Sequence, residues 1–237
     1  MNRIDLAAWW ETEGRISADL RPVLGESRVA PLWRAINVSI HILYSSCAQH
    51  GVAGPCSHTE DEHVLMWLGG RVLTNTLATV RLLVVGYYGP AVALIRDSVE
   101  TTMLLGLFDA APEELATWRG MGESKERWKA FSPRAVMKKL IARNAWHRYE
   151  DYDLYTAMAG HPTPNVSRLF VSSQRQRRMV GPFADAEVAE KTLHATMLAA
   201  SHGAYQMADL LKVQDRFKEE LRSLNEALED WSHPKQR

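Results

Sequence analysis

The residues best suited to chemistry lie in one short stretch. Arg96 and Glu100 are four apart, and on a helix that spacing puts both on one face, within reach of an ion pair. Met103 and Leu107 share that face, which predicts a pair at least partly buried and hardly reached by water. The order is base before acid, the less favourable one on an exposed helix, so surface optimisation does not explain it. Removing both charges from water costs several kcal/mol per ion, so further polar groups are expected around them. Two uses fit: a structural tie between helices, or part of a site for a substrate or RNA.

His161 is the candidate third member. Gly160 suits the left-handed position past a helix end, where the partial negative charge favours an imidazolium. Pro162 holds the backbone of His161 extended, and Pro164 stiffens the chain beyond it. Such a ring can act as an acid, an anion ligand or a structural donor. Tyr155, six residues earlier, is placed to add a hydroxyl.

Charge points to a second feature. The chain has 28 Lys+Arg and 28 Asp+Glu, but they are unevenly spread. From Arg119 to Arg178, 13 Lys and Arg stand against Glu123, Glu126, Glu150, Asp151 and Asp153, so 13 − 5 gives a net +8. Solvated helix faces and a loop are one explanation; the other is an anion-binding face for nucleic acid, nucleotide or an acidic partner. Arg175, Arg177 and Arg178 are the cations best able to grip phosphates.

Other chemistries find little support. Glu60-x-x-His63 has the spacing of carboxylate-bundle metal sites, but no second copy occurs. The chain has two Cys and no His-Glu-x-x-His, so neither a metal nor another cofactor is expected. No Gly-x-Ser-x-Gly and no phosphate-cradling Gly-rich loop occurs. The eight Trp fall at helical positions and read as core and interface area.

The elements carrying these residues are helical. Apolar residues recur at three and four, and no period-2 strand is visible. The spacing predicts a first helix ending near Pro22, a second opened by Pro31 and a third from about Asp61 to Tyr87. Gly89-Pro90 then starts a fourth running to Phe108. This fourth helix is apolar nearly all round, which belongs at the centre of a bundle. Shorter helices are expected over Pro112–Gly120, Ser132–Tyr149 and Asp151–Gly160, and Asp185 caps one reaching Leu210. Phe217, Leu221, Leu224, Leu228 and Trp231 continue the pattern. The expected fold is a single-domain all-α bundle of about eight helices around a central apolar helix. Residues 1–60 supply N-terminal helices, 61–211 the core bundle and 212–237 a C-terminal helical extension.

With 237 residues, 46% apolar and 24% charged, the composition is that of a globular protein. The longest apolar stretch, Leu82 to Ile95, is shorter than a bilayer span and interrupted by Gly86, Gly89 and Pro90. The N-terminus has no signal-peptide core, and two Cys suit a reducing interior, so a cytoplasmic location and no membrane are expected.

Ala91-x-x-Leu94-x-Arg96-x-x-x-Glu100, Pro112 with Trp118, Tyr155, Gly160-His161-Pro162-Thr163 and Gly181-Pro182 occur in order between Leu77 and Leu211. This series resembles a bacterial all-helical family known only as a domain of unknown function, HEPN-like in general plan. The resemblance implies a helical bundle and no established activity, with Arg96, Glu100 and His161 matching the family's polar signature. HEPN ribonucleases pair an Arg with a His that follows after four to six intervening residues. Only Arg34-x₆-His41 fits here, and Ala35 stands where a polar residue is expected.

The expected function is a non-catalytic binding or regulatory role, as a homodimer that engages an anionic or protein partner. The alternative is a metal-independent HEPN-like ribonuclease or RNA-binding protein. His161 would then be general acid/base, and Arg96 would stabilise the charge developing on phosphorus.

Overall fold

A computed structural model describes residues 6–49, 59–122, 124–145, 152–157 and 182–232. The described residues are helical and contain no strand. In chain order the helices are α1 (Leu6–Leu20), α2 (Glu26–Gln49), α3 (Glu60–Val84), α4 (Tyr88–Ala110), α5 (Glu113–Gly120), α6 (Lys125–Ala130), α7 (Pro133–Ala142), α8 (Tyr152–Tyr155), α9 (Ala186–Leu210) and α10 (Lys218–Ser232). A 3₁₀ turn over Gln214–Phe217 leads into α10. No described helix is long and apolar enough to cross a membrane.

Helix α4 runs through the middle, packed against α3, α9, α7 and α8. Its lack of a polar side has a direct cause, because it feeds two cores. Val92, Leu105 and Phe108 join a large cluster with α1, α2, α3, α9 and α10. Ile95, Val99, Met103 and Leu107 face a smaller one built with Val136, Leu140, Tyr152, Ala195 and Ala199. Helix α9 shares the centre. Its small residues let neighbours come close: a Cβ on Gly203 would lie 2.8 Å from Val72 Cγ1, tighter than carbon atoms pack.

Helix starts use the expected side chains. Asp185 caps α9 by accepting from Val188 N, Ser132 caps α7, and Thr59 with Glu62 forms a reciprocal capping box on α3. Pro31 does not open α2. That helix begins at Glu26, so Pro31 lies inside it and removes one backbone donor near its start.

Three helix ends close in one way, and two of them, those of α3 and α7, fall short of the periodicity. Helix α3 stops at Val84 because Gly86 takes φ +80 and Tyr87 N donates back to Leu82 O at 2.9 Å. The break therefore falls before Gly89-Pro90, which sits in the first turn of α4. Helix α7 ends at Ala142, well short of Tyr149, because Asn144 adopts φ 54 and Ala145 N closes on Leu140 O. Lys212 does the same after α9. Each is a left-handed cap satisfying carbonyls the last turn leaves open. Helix α6 has no counterpart in the apolar pattern: none of its residues is buried.

Candidate functional site

The polar groups of α4 form a short seam on the helix. Arg96 Nη2 reaches Glu100 Oε1 at 2.7 Å, and about a quarter of each side chain is exposed (26% and 25%). The pair is therefore partly buried without being sealed from water. Tyr152, on α8, donates its hydroxyl to the same Glu100 oxygen at 2.9 Å. Burial works against the charge on Arg96, but Tyr152 and Glu100 outweigh it and raise its pKa further. Arg96 Nε is buried with no acceptor among the described residues.

Asp97, the next residue, faces α3. Arg71 clamps it bidentately, Nε to Oδ2 at 2.8 Å and Nη2 to Oδ1 at 2.5 Å, and Asn75 Nδ2 donates to Oδ2 at 2.5 Å. Burial pushes the Asp97 carboxyl up, yet the Arg71 and Asn75 hydrogen bonds prevail and hold it below its ordinary value. Planar bidentate pairing of this kind fixes orientation as well as charge.

Next to this seam α3, α4, α5, α6 and α7 line a half-open cavity of about 300 Å³. Asp97, Glu100, Thr101 and Arg71 give it a polar end. Leu68, Leu104 and Val136 form apolar wall, and Trp118, Arg127, Trp128 and Phe131 bring aromatic and cationic groups. Two cations brace the rings: Arg127 lies 5.0 Å from the Trp118 centroid and Lys139 Nζ 4.1 Å from that of Phe131. Trp128 is 72% exposed.

The cations of this region divide by task. Arg119 pairs with Glu60 and Asp61, Lys139 with Glu114 at 2.6 Å, and Arg143 lies near Glu113 and Glu114. Lys125, Lys129, Arg134 and Lys138 are exposed and have no ion-pair partner among the described residues. All four belong to α6 or α7, the helices that carry Trp128 and the cavity wall.

Of the residues expected from the sequence, Arg96 and Glu100 come together. The backbone of Tyr155 belongs to α8, while its side chain is not among the described ones. His161, Arg175, Arg177 and Arg178 lie outside the described residues. Arg34 and His41 are exposed on α2, and Arg34 Nη1 donates to Ser223 O at 3.4 Å. Glu60 is engaged by Arg119, and the His63 ring lies 6.3 Å from that of Trp67. No group of three or more metal-ligating side chains occurs among the described residues.

No family model, no curated protein and no solved structure matches this chain.

Sequence reasoning missed Arg71, Asn75 and Asp97 as a unit, and missed the cavity. A local signal existed for part of it. Arg127-Trp128-Lys129-Ala130-Phe131 interleaves cations with aromatics, a pattern that suits stacking beside phosphates.

Proposed function

We propose that the chain is a non-catalytic helical binding protein that engages an anionic partner through the face made by α6 and α7. The observation that carries this reading is Trp128, 72% exposed on α6 between Lys125 and Lys129 in the chain, with Arg134 and Lys138 exposed on the adjoining α7. An exposed indole offers a face for stacking, and four cations without an ion-pair partner among the described residues raise the local potential that draws anions in. The eight Lys and Arg between Arg119 and Ala145 supply most of the positive excess, and Lys125, Lys129, Arg134 and Lys138 among them pair with no acid among the described residues.

Binding to a polyanion tests this reading. Single-stranded RNA and inorganic polyphosphate are expected to bind with affinity that falls steeply between about 50 and 200 mM salt. Lys129→Glu with Arg134→Glu should weaken both, each lost phosphate contact lowering the salt slope by about 1. Affinity that ignores salt and both charge reversals would mean that the face is ordinary solvated surface.

A further inference from the structure

The cavity beside the α6–α7 face differs from that face in chemistry. The face is cationic, whereas the cavity lining includes the carboxylates of Asp97 and Glu100 beside Arg71 and Arg127. The two Asp97 oxygens are engaged by Arg71 and Asn75. Glu100 is different: Arg96 and Tyr152 both meet Oε1, and Oε2 has no hydrogen-bond partner among the described residues. Glu100 lines the cavity together with Trp118, Trp128 and Phe131. The lining thus puts aromatic side chains and a carboxylate in one cavity, and Lys125, Lys129 and Arg134 belong to the two helices that carry its Trp128 and Pro133.

Resting on the reading of the α6–α7 face as an anion-binding surface, we infer that this cavity seats one amino-bearing base of a single-stranded nucleic acid. Three complementarities support it. A flat heteroaromatic ring matches walls of indole and phenyl, which stack on any base. Its phosphates, on the outside, match Lys125, Lys129 and Arg134. Its edge must offer a donor to Glu100 Oε2, and the exocyclic amino group of cytosine or adenine does so. Uracil fits poorly, because its single N3–H stands between two carbonyl oxygens that a carboxylate repels. A volume of about 300 Å³ lies at the small end for ligand sites and suits one base rather than a stack.

An acidic protein segment or an anionic lipid would satisfy the cations outside. A lipid brings no ring with a donor edge, and a protein segment does so only where it carries Trp, Tyr or His, whereas a nucleic acid joins such rings to phosphates throughout and so accounts for more of the site.

Fluorescence anisotropy with labelled oligo(rC), oligo(rU) and polyphosphate of matched length, each of roughly ten units, tests the inference. Oligo(rC) is expected to bind about tenfold more tightly than oligo(rU). Trp128→Ala should weaken both RNAs about tenfold and weaken polyphosphate, which has no ring to stack, by less. Glu100→Gln should erase the preference for cytosine without loss of oligo(rU) binding. Because that substitution touches Arg96 and Tyr152, the unaltered protein is also titrated with oligo(rC) bearing N4,N4-dimethylated cytosine, which lacks both donors and is expected to bind like oligo(rU). Equal affinity for oligo(rC), its dimethylated form, oligo(rU) and polyphosphate would overturn the base site while leaving the anion-binding face intact. Binding of phosphatidylserine vesicles but of no oligonucleotide would overturn it too. Failure to bind any polyanion would remove the face and the base site together.

Discussion

The Tyr152 hydroxyl and the Glu100 carboxylate meet at 2.9 Å, on the oxygen that Arg96 Nη2 reaches at 2.7 Å from along the same helix. One acceptor atom thus joins α8 to the centre of the bundle. The Tyr152 ring lies in the smaller core with Ile95, Val99 and Met103, so the polar and apolar contacts act on one side chain. This explains how a pair that reverses the surface-favoured order persists: a third group, neutral and from another helix, meets part of the desolvation of Glu100.

The three groups should therefore behave as one unit. Tyr152→Phe keeps the ring and removes the donor, with an expected loss of about 1–2 kcal/mol, typical of a hydrogen bond to a charged acceptor. Arg96→Ala should cost about 2 kcal/mol. That is less than the 3–5 kcal/mol of a sealed pair, because a quarter of Glu100 meets water, and more than the roughly 1 kcal/mol of a surface pair. Urea denaturation of both single variants and the double variant should show a coupling above about 0.5 kcal/mol. Strict additivity would mean that the shared oxygen couples nothing.

Two glycines of α3 and its end should respond in opposite ways. Gly86 holds φ +80, and a Cβ there would run into the Phe183 carbonyl, which is backbone and cannot turn aside. Gly86→Ala should cost at least about 2 kcal/mol, from left-handed strain plus the clash. At Gly69 the obstacle is the Met207 side chain, whose thioether can rotate away. Gly69→Ala should change stability by about 1 kcal/mol or less, since Ala's helix propensity offsets part of the repacking. Thermal melts of both variants give the comparison; equal losses would refute the contrast between backbone and flexible side chain.

The central position of α4 is readable from sequence because a helix with no polar side can only be buried. Asp185 is readable as a cap because a short acceptor before an apolar run has one common use. The ends of α3 and α7 are not readable to the residue. A left-handed Asn144 and a left-handed Lys212 depend on which carbonyls the packed helix leaves open, and Lys carries no local mark of that conformation. The Arg71–Asp97 clamp spans 26 residues and two helices, so no single-helix spacing encodes it. Trp10, Trp33, Trp67 and Trp128 fit helical positions and read as core or interface area, yet they are exposed. Periodicity gives the face of a helix, not what covers it. The charge excess points to the stretch of chain that holds α6 and α7, but not to the cavity, which exists only where α5, α6 and α7 fold back on α3 and α4.

The Asp97 clamp predicts an acid limb. Burial alone would raise this carboxyl, and the hydrogen bonds from Arg71 and Asn75 lower it below the 3.8 of an isolated aspartate. A depressed folded-state pKa contributes stability that is complete at neutral pH, and that stability is lost as pH falls through 3.8 and then through the lower folded value. Asp97→Asn should lower stability at pH 7 by about 1–2 kcal/mol, because Arg71 loses its partner in a half-exposed setting. It should also flatten the dependence on pH below about 4. Urea midpoints of both proteins across that range measure the slope; parallel curves would show that Asp97 does not titrate with folding.

Tyr88 predicts the alkaline limb. Its ring is fully buried, and its hydroxyl accepts from Asp185 N at 3.0 Å and donates to Asp185 O at 3.2 Å, fastening the chain just ahead of α9 onto α4. Burial pushes the phenol up to about 12, since the phenolate would be charged among apolar side chains. An unfolded tyrosine ionises near 10, so the contribution of Tyr88 is complete below about pH 10 and is lost between about 10 and 12. Stability should fall steeply over that window, with smaller contributions of the same sign from Tyr87, Tyr152 and Tyr205, all shifted upward by burial. Tyr88→Phe should cost about 1–3 kcal/mol at pH 8, where two backbone groups lose a partner, and should make the alkaline slope shallower. Denaturation midpoints at pH 8, 10 and 11, with tyrosinate absorbance as a second probe, decide the point. An unchanged slope in the variant would mean that the phenol ionises without unfolding the α4–α9 junction.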